Sequence, residues 1–126
     1  MYDLQTARAR LKTGALGRVL IHEHVFLMDM EYSYNNRPDF LCAETLAKAA
    51  ARLNALKRAG IDTSIDLTVL GLSRHMPMLA KAAAQTDLNS IVSTGAYTFD
   101  KVPAPFAFYG PDLLCDAPEP MIEHFA

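Results

Sequence analysis

The chain has 126 residues, a formal net charge of −2, 51% hydrophobic residues and 21% charged ones. This is one ordinary domain's length with enough apolar content to bury a core, which excludes a disordered chain. There is no Lys/Arg run or basic stripe, which argues against nucleic acid or an anionic membrane as partner, and no apolar run approaches the roughly 20 residues of a membrane span.

Residues 1–17 have mixed polarity and a turn signal at Thr13-Gly14, so they read as a lead-in segment with a short hairpin. Arg18 to Val25 (Arg18-Val19-Leu20-Ile21-His22-Glu23-His24-Val25) follows as a β-branched apolar strand of the kind covered on both faces in a parallel sheet. Phe26 to Phe40, with Tyr32, Tyr34, Asn35, Asn36 and Pro38, reads as a loop, either a pocket wall or a plain surface connection. Residues 43–59 are helical: Leu46, Ala49, Ala50, Leu53 and Leu56 recur at three- and four-residue spacing, and Gly60 supplies the stop.

Ile61 to Leu67 reads as the second strand, and Ser73 or a neighbour caps a second helix over 74–86. Pro77 is tolerated in that helix's first turn, where amides lack partners, and Met78, Leu79, Ala82 and Ala83 form its packing face. Asn89 to Thr94 is the third strand, closed by Gly95. Ala96 to Pro120 reads as a long loop rich in proline and aromatics, and Glu119 to Ala126 as the first turn of a helix that simply stops. Strand and helix alternate with short turns, the pattern of an α/β parallel sheet with right-handed crossovers. The end of the chain looks cut.

Chemistry in such folds gathers at the carboxyl ends of the parallel strands. His22 and His24 sit at one such end, separated by Glu23. Side chains alternate along a strand, so the two imidazoles share a face and offer half of a metal site. Asp66 with Thr68, and Thr94 with Tyr97, lie at the next two strand ends. A turn cap explains Asp66 equally well, and simple packing explains Tyr97. His75 and His124 have no partner histidine at helical spacing and read as surface or packing residues. Cys42 and Cys115 are far apart and form neither a zinc ribbon nor a disulfide framework. With a polar amino terminus that lacks a signal-peptide core, this predicts a cytoplasmic protein.

Leu16 to Phe26 (Leu16-Gly17-Arg18-Val19-Leu20-Ile21-His22-Glu23-His24-Val25-Phe26) closely resembles the first-strand motif of the phosphotriesterase family, within the amidohydrolase superfamily. The likeness continues through Leu56 to Thr63, Asp66 to Arg74, Ser93 to Phe99, and Gly110 to Met121. The branch most similar contains lactonases with side activity on organophosphate triesters. The resemblance implies the first three βα units of a (β/α)8 TIM barrel, incomplete as given, with residues 1–126 as the amino-terminal part of one metal-dependent hydrolase domain. It implies two divalent metals at the barrel mouth, zinc first, with cobalt, manganese or iron as alternatives. His22 and His24 match the family's first-strand ligands, and Tyr97 matches a tyrosine near the substrate and the bridging hydroxide; Asp66, from its place at the neighbouring strand end and not from the resemblance, is expected to support the ligands from behind. The implied reaction is attack of a hydroxide held between the metals on a small-molecule lactone or organophosphate ester.

The departures matter. The family's carboxylated lysine, two further histidines and aspartate come from later strands, and neither Lys81 nor Lys101 can replace that lysine, since they fall on a helix and a long loop. Thr6-Ala7-Arg8-Ala9-Arg10 stands where relatives carry an Arg-Gly-Pro turn, which puts the lead-in hairpin in question. Two expectations follow. One is a hydrolase whose fragment is inactive alone and needs the remaining barrel strands or a homo-oligomeric partner. The other is a truncated, non-catalytic βαβ interaction module, self-associating through open sheet edges.

Overall fold

The computed structural model describes residues 2–99 and 102–125; the side chains of Met30, Pro105, Glu123, His124 and Phe125 lie outside that description. The expectations for Lys101 and for the His124 side chain therefore fall outside the described residues.

The chain opens with an antiparallel hairpin of β1 (Asp3–Gln5) and β2 (Arg10–Lys12), in which Leu4 faces Leu11. Its turn closes without Arg-Gly-Pro because Thr6 takes over. The Thr6 hydroxyl donates to Ala9 O at 2.6 Å and accepts from Ala9 N at 3.0 Å, while Thr6 N donates to the same carbonyl. Ala7 N then donates to Ser90 O at 2.7 Å, which moors the hairpin against the amino-terminal end of the sheet. A 3-10 turn over Thr13–Ala15 follows, and the left-handed residue is Gly17, at φ 62°.

The sheet has three parallel strands, β3 (Val19–Glu23), β4 (Thr63–Asp66) and β5 (Asn89–Val92), in that spatial order. Val19 pairs with Thr63 and Thr63 with Asn89; the β3–β4 register shifts between Leu20 and Glu23. The crossovers are α2 (Ala43–Arg58), introduced after the short α1 (Met30–Asn36), and α3 (Met76–Ala83). Strand order follows chain order without a reversal, the progression of a barrel wall rather than of a doubly wound sheet.

Both crossover helices cover one face of the sheet. Leu53 of α2, Met78, Leu79 and Ala82 of α3, Phe26 and Leu88 form a buried cluster, with Leu46, Ala49, Leu56, Ile61 and Val92 packed on it. Burying each large side chain of this set contributes about 1.5–3 kcal/mol, the main favourable term for this face. The expected cover on both faces is not found: Ile21 of β3 is 72% exposed. An inner barrel face is filled by side chains from strands opposite, and three strands cannot supply them.

Several boundaries differ from expectation for local reasons. The loop expected over 26–40 contains α1, because Asp29 caps it by accepting Tyr32 N at 2.6 Å, and a 3-10 turn over Pro38–Leu41 follows. Ser73 does not cap α3; it is left-handed at φ 58°, and His75 Nδ1 accepts Met78 N at 3.2 Å instead. Gly60 does end the α2 turn, at φ 88°. The loop expected over 96–120 holds α4 (Ala104–Phe108), begun where Pro103 O accepts from Phe106 N, and the paired two-residue strands β6 (Tyr109–Gly110) and β7 (Cys115–Asp116). The chain then enters α5 (Pro120–Phe125). Among the described residues no helix is long and apolar enough to cross a membrane.

Candidate metal-binding half-site

Strand β3 ends at Glu23, so His22 lies in its last turn of pleat and His24 one residue beyond. Both histidines are exposed, whereas Glu23 between them is half-buried. The register shift leaves Ile21 and His22 both exposed, and the alternation resumes from His22 to His24, so the imidazoles come together. Their centroids are 5.4 Å apart with ring planes at 69°, an edge-to-face pair.

His24 is held from behind. Its Nδ1 lies 2.9 Å from Thr68 Oγ1, and Thr68 is 2% exposed. Asp66, equally buried, fixes both sides of this contact: Oδ1 accepts Thr68 N at 2.8 Å and Oδ2 accepts Val25 N at 3.2 Å. Glu23 O also accepts Leu67 N at 2.9 Å, so the ends of β3 and β4 are tied by main chain and carboxylate together. Asp66 therefore does cap a turn, and in the same geometry it braces the residue following His24. The Thr68 contact went unassigned in the sequence; its only signal is Asp-x-Thr at a strand end, facing a histidine at the neighbouring end.

Tyr97 follows β5 and is fastened by its backbone, with Tyr97 N donating to Leu70 O at 2.7 Å beside the Leu70–Ala96 bridge. Its ring lies 6.4 Å from that of Phe99, tilted by 38°. The geometry thus joins His22, His24, Thr68 and Asp66, and leaves Tyr97 on the next strand end, packed toward Phe99. His75 serves as the α3 cap described above, in keeping with a structural role.

A cavity of about 650 Å³ opens between the end of β3 and α2, lined by His24, Phe26, Phe40, Arg52, Leu53 and Ser64 among others. Neither His22 nor Tyr97 lines it, so it is a gap on the flank of α2 rather than the space in front of the imidazole pair.

The donor set fits one half of a transition-metal site. Two neutral imidazoles side by side suit zinc and similar ions, and a buried partner on the non-ligating nitrogen is what such ligands require. It is only half: among the described residues no group of three or more His, Cys, Asp or Glu could hold a metal ion. A catalytic zinc takes three protein ligands and keeps a fourth position open.

Residues 2–122 match the model of the Phosphotriesterase family. A phosphotriesterase homology protein of Mycobacterium tuberculosis (strain CDC 1551 / Oshkosh) is 46% identical over 99% of this chain. An aryldialkylphosphatase of Saccharolobus solfataricus is 29% identical over 84% of it, covering 34% of that protein. The solved structure of the phosphotriesterase from Mycobacterium tuberculosis superimposes with a TM-score of 0.86 at 44% identity, over 98% of this chain and 39% of that one. The chain spans 39% of the length of the mycobacterial relative as well. Its parallel strands are accordingly the first three βα units of a (β/α)8 barrel, incomplete in this chain.

Proposed function

Because the chain belongs to the phosphotriesterase family, we propose that residues 1–126 are the amino-terminal part of a single metal-dependent ester hydrolase domain acting on a small-molecule lactone or organophosphate ester. The observation that carries this reading is the pair of imidazoles 5.4 Å apart at the end of β3, one of them braced through Nδ1. His22 and His24 would hold one ion of a divalent pair, zinc first, with cobalt, manganese or iron as alternatives. When bound, such ions supply Lewis acidity toward a carbonyl or phosphoryl oxygen and lower the pKa of water toward neutrality. Tyr97 would meet the substrate, and Asp66 would keep the end of β3 in register with the end of β4. The name of the Saccharolobus relative supports the phosphoester side of this reading; the lactone side rests on the branch resemblance. The two free cysteines support a cytoplasmic location.

Two imidazoles cannot complete the site, so the remaining strands are a required partner. The test is to purify the chain alone and together with a polypeptide carrying the later strands, and to measure zinc content and turnover of a lactone and a triester. Near-stoichiometric zinc and turnover are expected only for the pair, and His22→Ala with His24→Ala should remove both. Chelator-sensitive turnover by the chain alone, or zinc content unchanged by those substitutions, would overturn the proposal.

A second reading, a non-catalytic βαβ interaction module, is favoured by the 72% exposure of Ile21 beside the free edge of β3. It expects self-association in light scattering. A monodisperse monomer that melts cooperatively would sink it.

A further inference from the structure

The residue behind His24 deserves a role of its own. Imidazole can ligate only through a nitrogen that carries no proton, and the hydrogen bond at the other nitrogen decides which one that is. In this chain Thr68 Oγ1 stands 2.9 Å from Nδ1, so Nδ1 is engaged and Nε2 is the nitrogen left for a ligand, on an exposed residue whose ring centroid is 5.4 Å from that of His22. Thr68 cannot drift away from this contact. It is 2% exposed, its amide is held by Asp66 Oδ1, and the same carboxylate holds Val25 through Oδ2. The oxygen that meets the ring and the backbone that carries the ring are thereby fixed by one side chain.

Resting on the metal-site reading above, we propose that Thr68 is a positioning residue for His24. Its hydroxyl oxygen accepts Nδ1–H, selecting the tautomer whose Nε2 lone pair is presented beside His22 to a divalent cation. A free histidine side chain favours the opposite tautomer, with the proton on Nε2, which cannot ligate from that nitrogen. With the Nδ1 proton taken up by Thr68, Nε2 is the nitrogen left free to ligate, and Asp66 acts through Thr68 rather than on the ring.

The experiment is nitrogen-15 NMR of the histidine side chains, in the 126-residue chain without metal and, together with the polypeptide carrying the later strands, during titration with zinc chloride. The parent chain should show His24 with its proton on Nδ1, and zinc should perturb His22 and His24 together. Thr68→Val, which keeps the shape and removes the oxygen, should move His24 toward the Nε2–H form and weaken zinc binding about tenfold. Thr68→Ser should restore both. Finding the proton on Nε2 of His24 in the parent chain overturns the assignment outright, whatever the fate of the valine variant's fold. So does a folded Thr68→Val whose tautomer and zinc affinity match the parent. The metal reading fails separately, if His22→Ala and His24→Ala leave the zinc titration unchanged.

Discussion

Asp66 Oδ2 accepts the amide proton of Val25 across 3.2 Å, so a buried carboxylate on one strand end fixes the chain just past a histidine on its neighbour. The other oxygen of the same group takes Thr68 N at 2.8 Å. Asn in this position would turn an NH2 toward one of two amide donors. Asp66→Asn is expected to lose about 1–3 kcal/mol, the cost of leaving a buried polar group opposed. Thermal melts of parent and variant measure it, and equal stability would mean that Asp66 does not clip the strands.

Gly17 is placed to test the amino-terminal end of the sheet. Its φ is 62°, and a Cβ there would run into the Asp62 carboxylate. Gly95 also has positive φ, 112°, but a Cβ there would meet nothing within 4 Å. Gly95→Ala should therefore carry backbone strain alone, about 1 kcal/mol, and Gly17→Ala should cost about 1–3 kcal/mol more. Denaturant midpoints for the two variants compare them directly; a Gly17→Ala no worse than Gly95→Ala would contradict the collision.

Asp62 gives a pH dependence with a definite sign. The Lys57 ammonium at 2.8 Å, followed by the Arg18 amide at 3.0 Å, holds its carboxyl below the ordinary aspartate value. The folded state thus binds this proton less readily than the unfolded chain. The stabilisation is present above the unfolded pKa of about 3.9 and fades as pH falls through the lower folded value. Asp62→Asn should lower the melting temperature at neutral pH, and the gap from the parent should close in acid. A gap that stays constant from neutral pH down into acid would assign the effect to packing instead of charge.

Ser64 and Ser90 pair in register on β4 and β5, at 1% and 2% exposure, and neither hydroxyl oxygen has a hydrogen-bond partner among the described residues. A buried polar group without a partner carries its desolvation cost with no return. Ser90→Ala should therefore be neutral or stabilising by up to about 1 kcal/mol. A loss of stability in calorimetry would show that the hydroxyl is bonded in solution.

Much of the scaffold was legible because its signals are local. The Leu46-Ala49-Ala50-Leu53-Leu56 stripe and the Met78-Leu79-Ala82-Ala83 face needed only helical periodicity: Leu46, Ala49, Leu53, Leu56, Met78, Leu79 and Ala82 join the buried cluster or pack on it, Ala50 and Ala83 are buried, and Gly60 ends the first helix as the Lys57-Arg58-Gly60 signal says. The short helix at Met30–Asn36 was hidden because a single capping bond from Asp29, rather than an apolar period, starts it. The sequence points to Ser73 or a neighbour as the cap; a cap is typically extended in backbone and Ser73 is left-handed, so the role falls to His75.

By itself the sequence determined the alternation of strands and helices, the family, and the fact that two histidines leave one strand on one side, since period two is a property of the backbone. Only the tertiary structure decided what stands behind them. Parallel pairing brings the ends of β3 and β4 level, and a hydrogen bond between residues 44 apart, His24 and Thr68, exists only once that register is set.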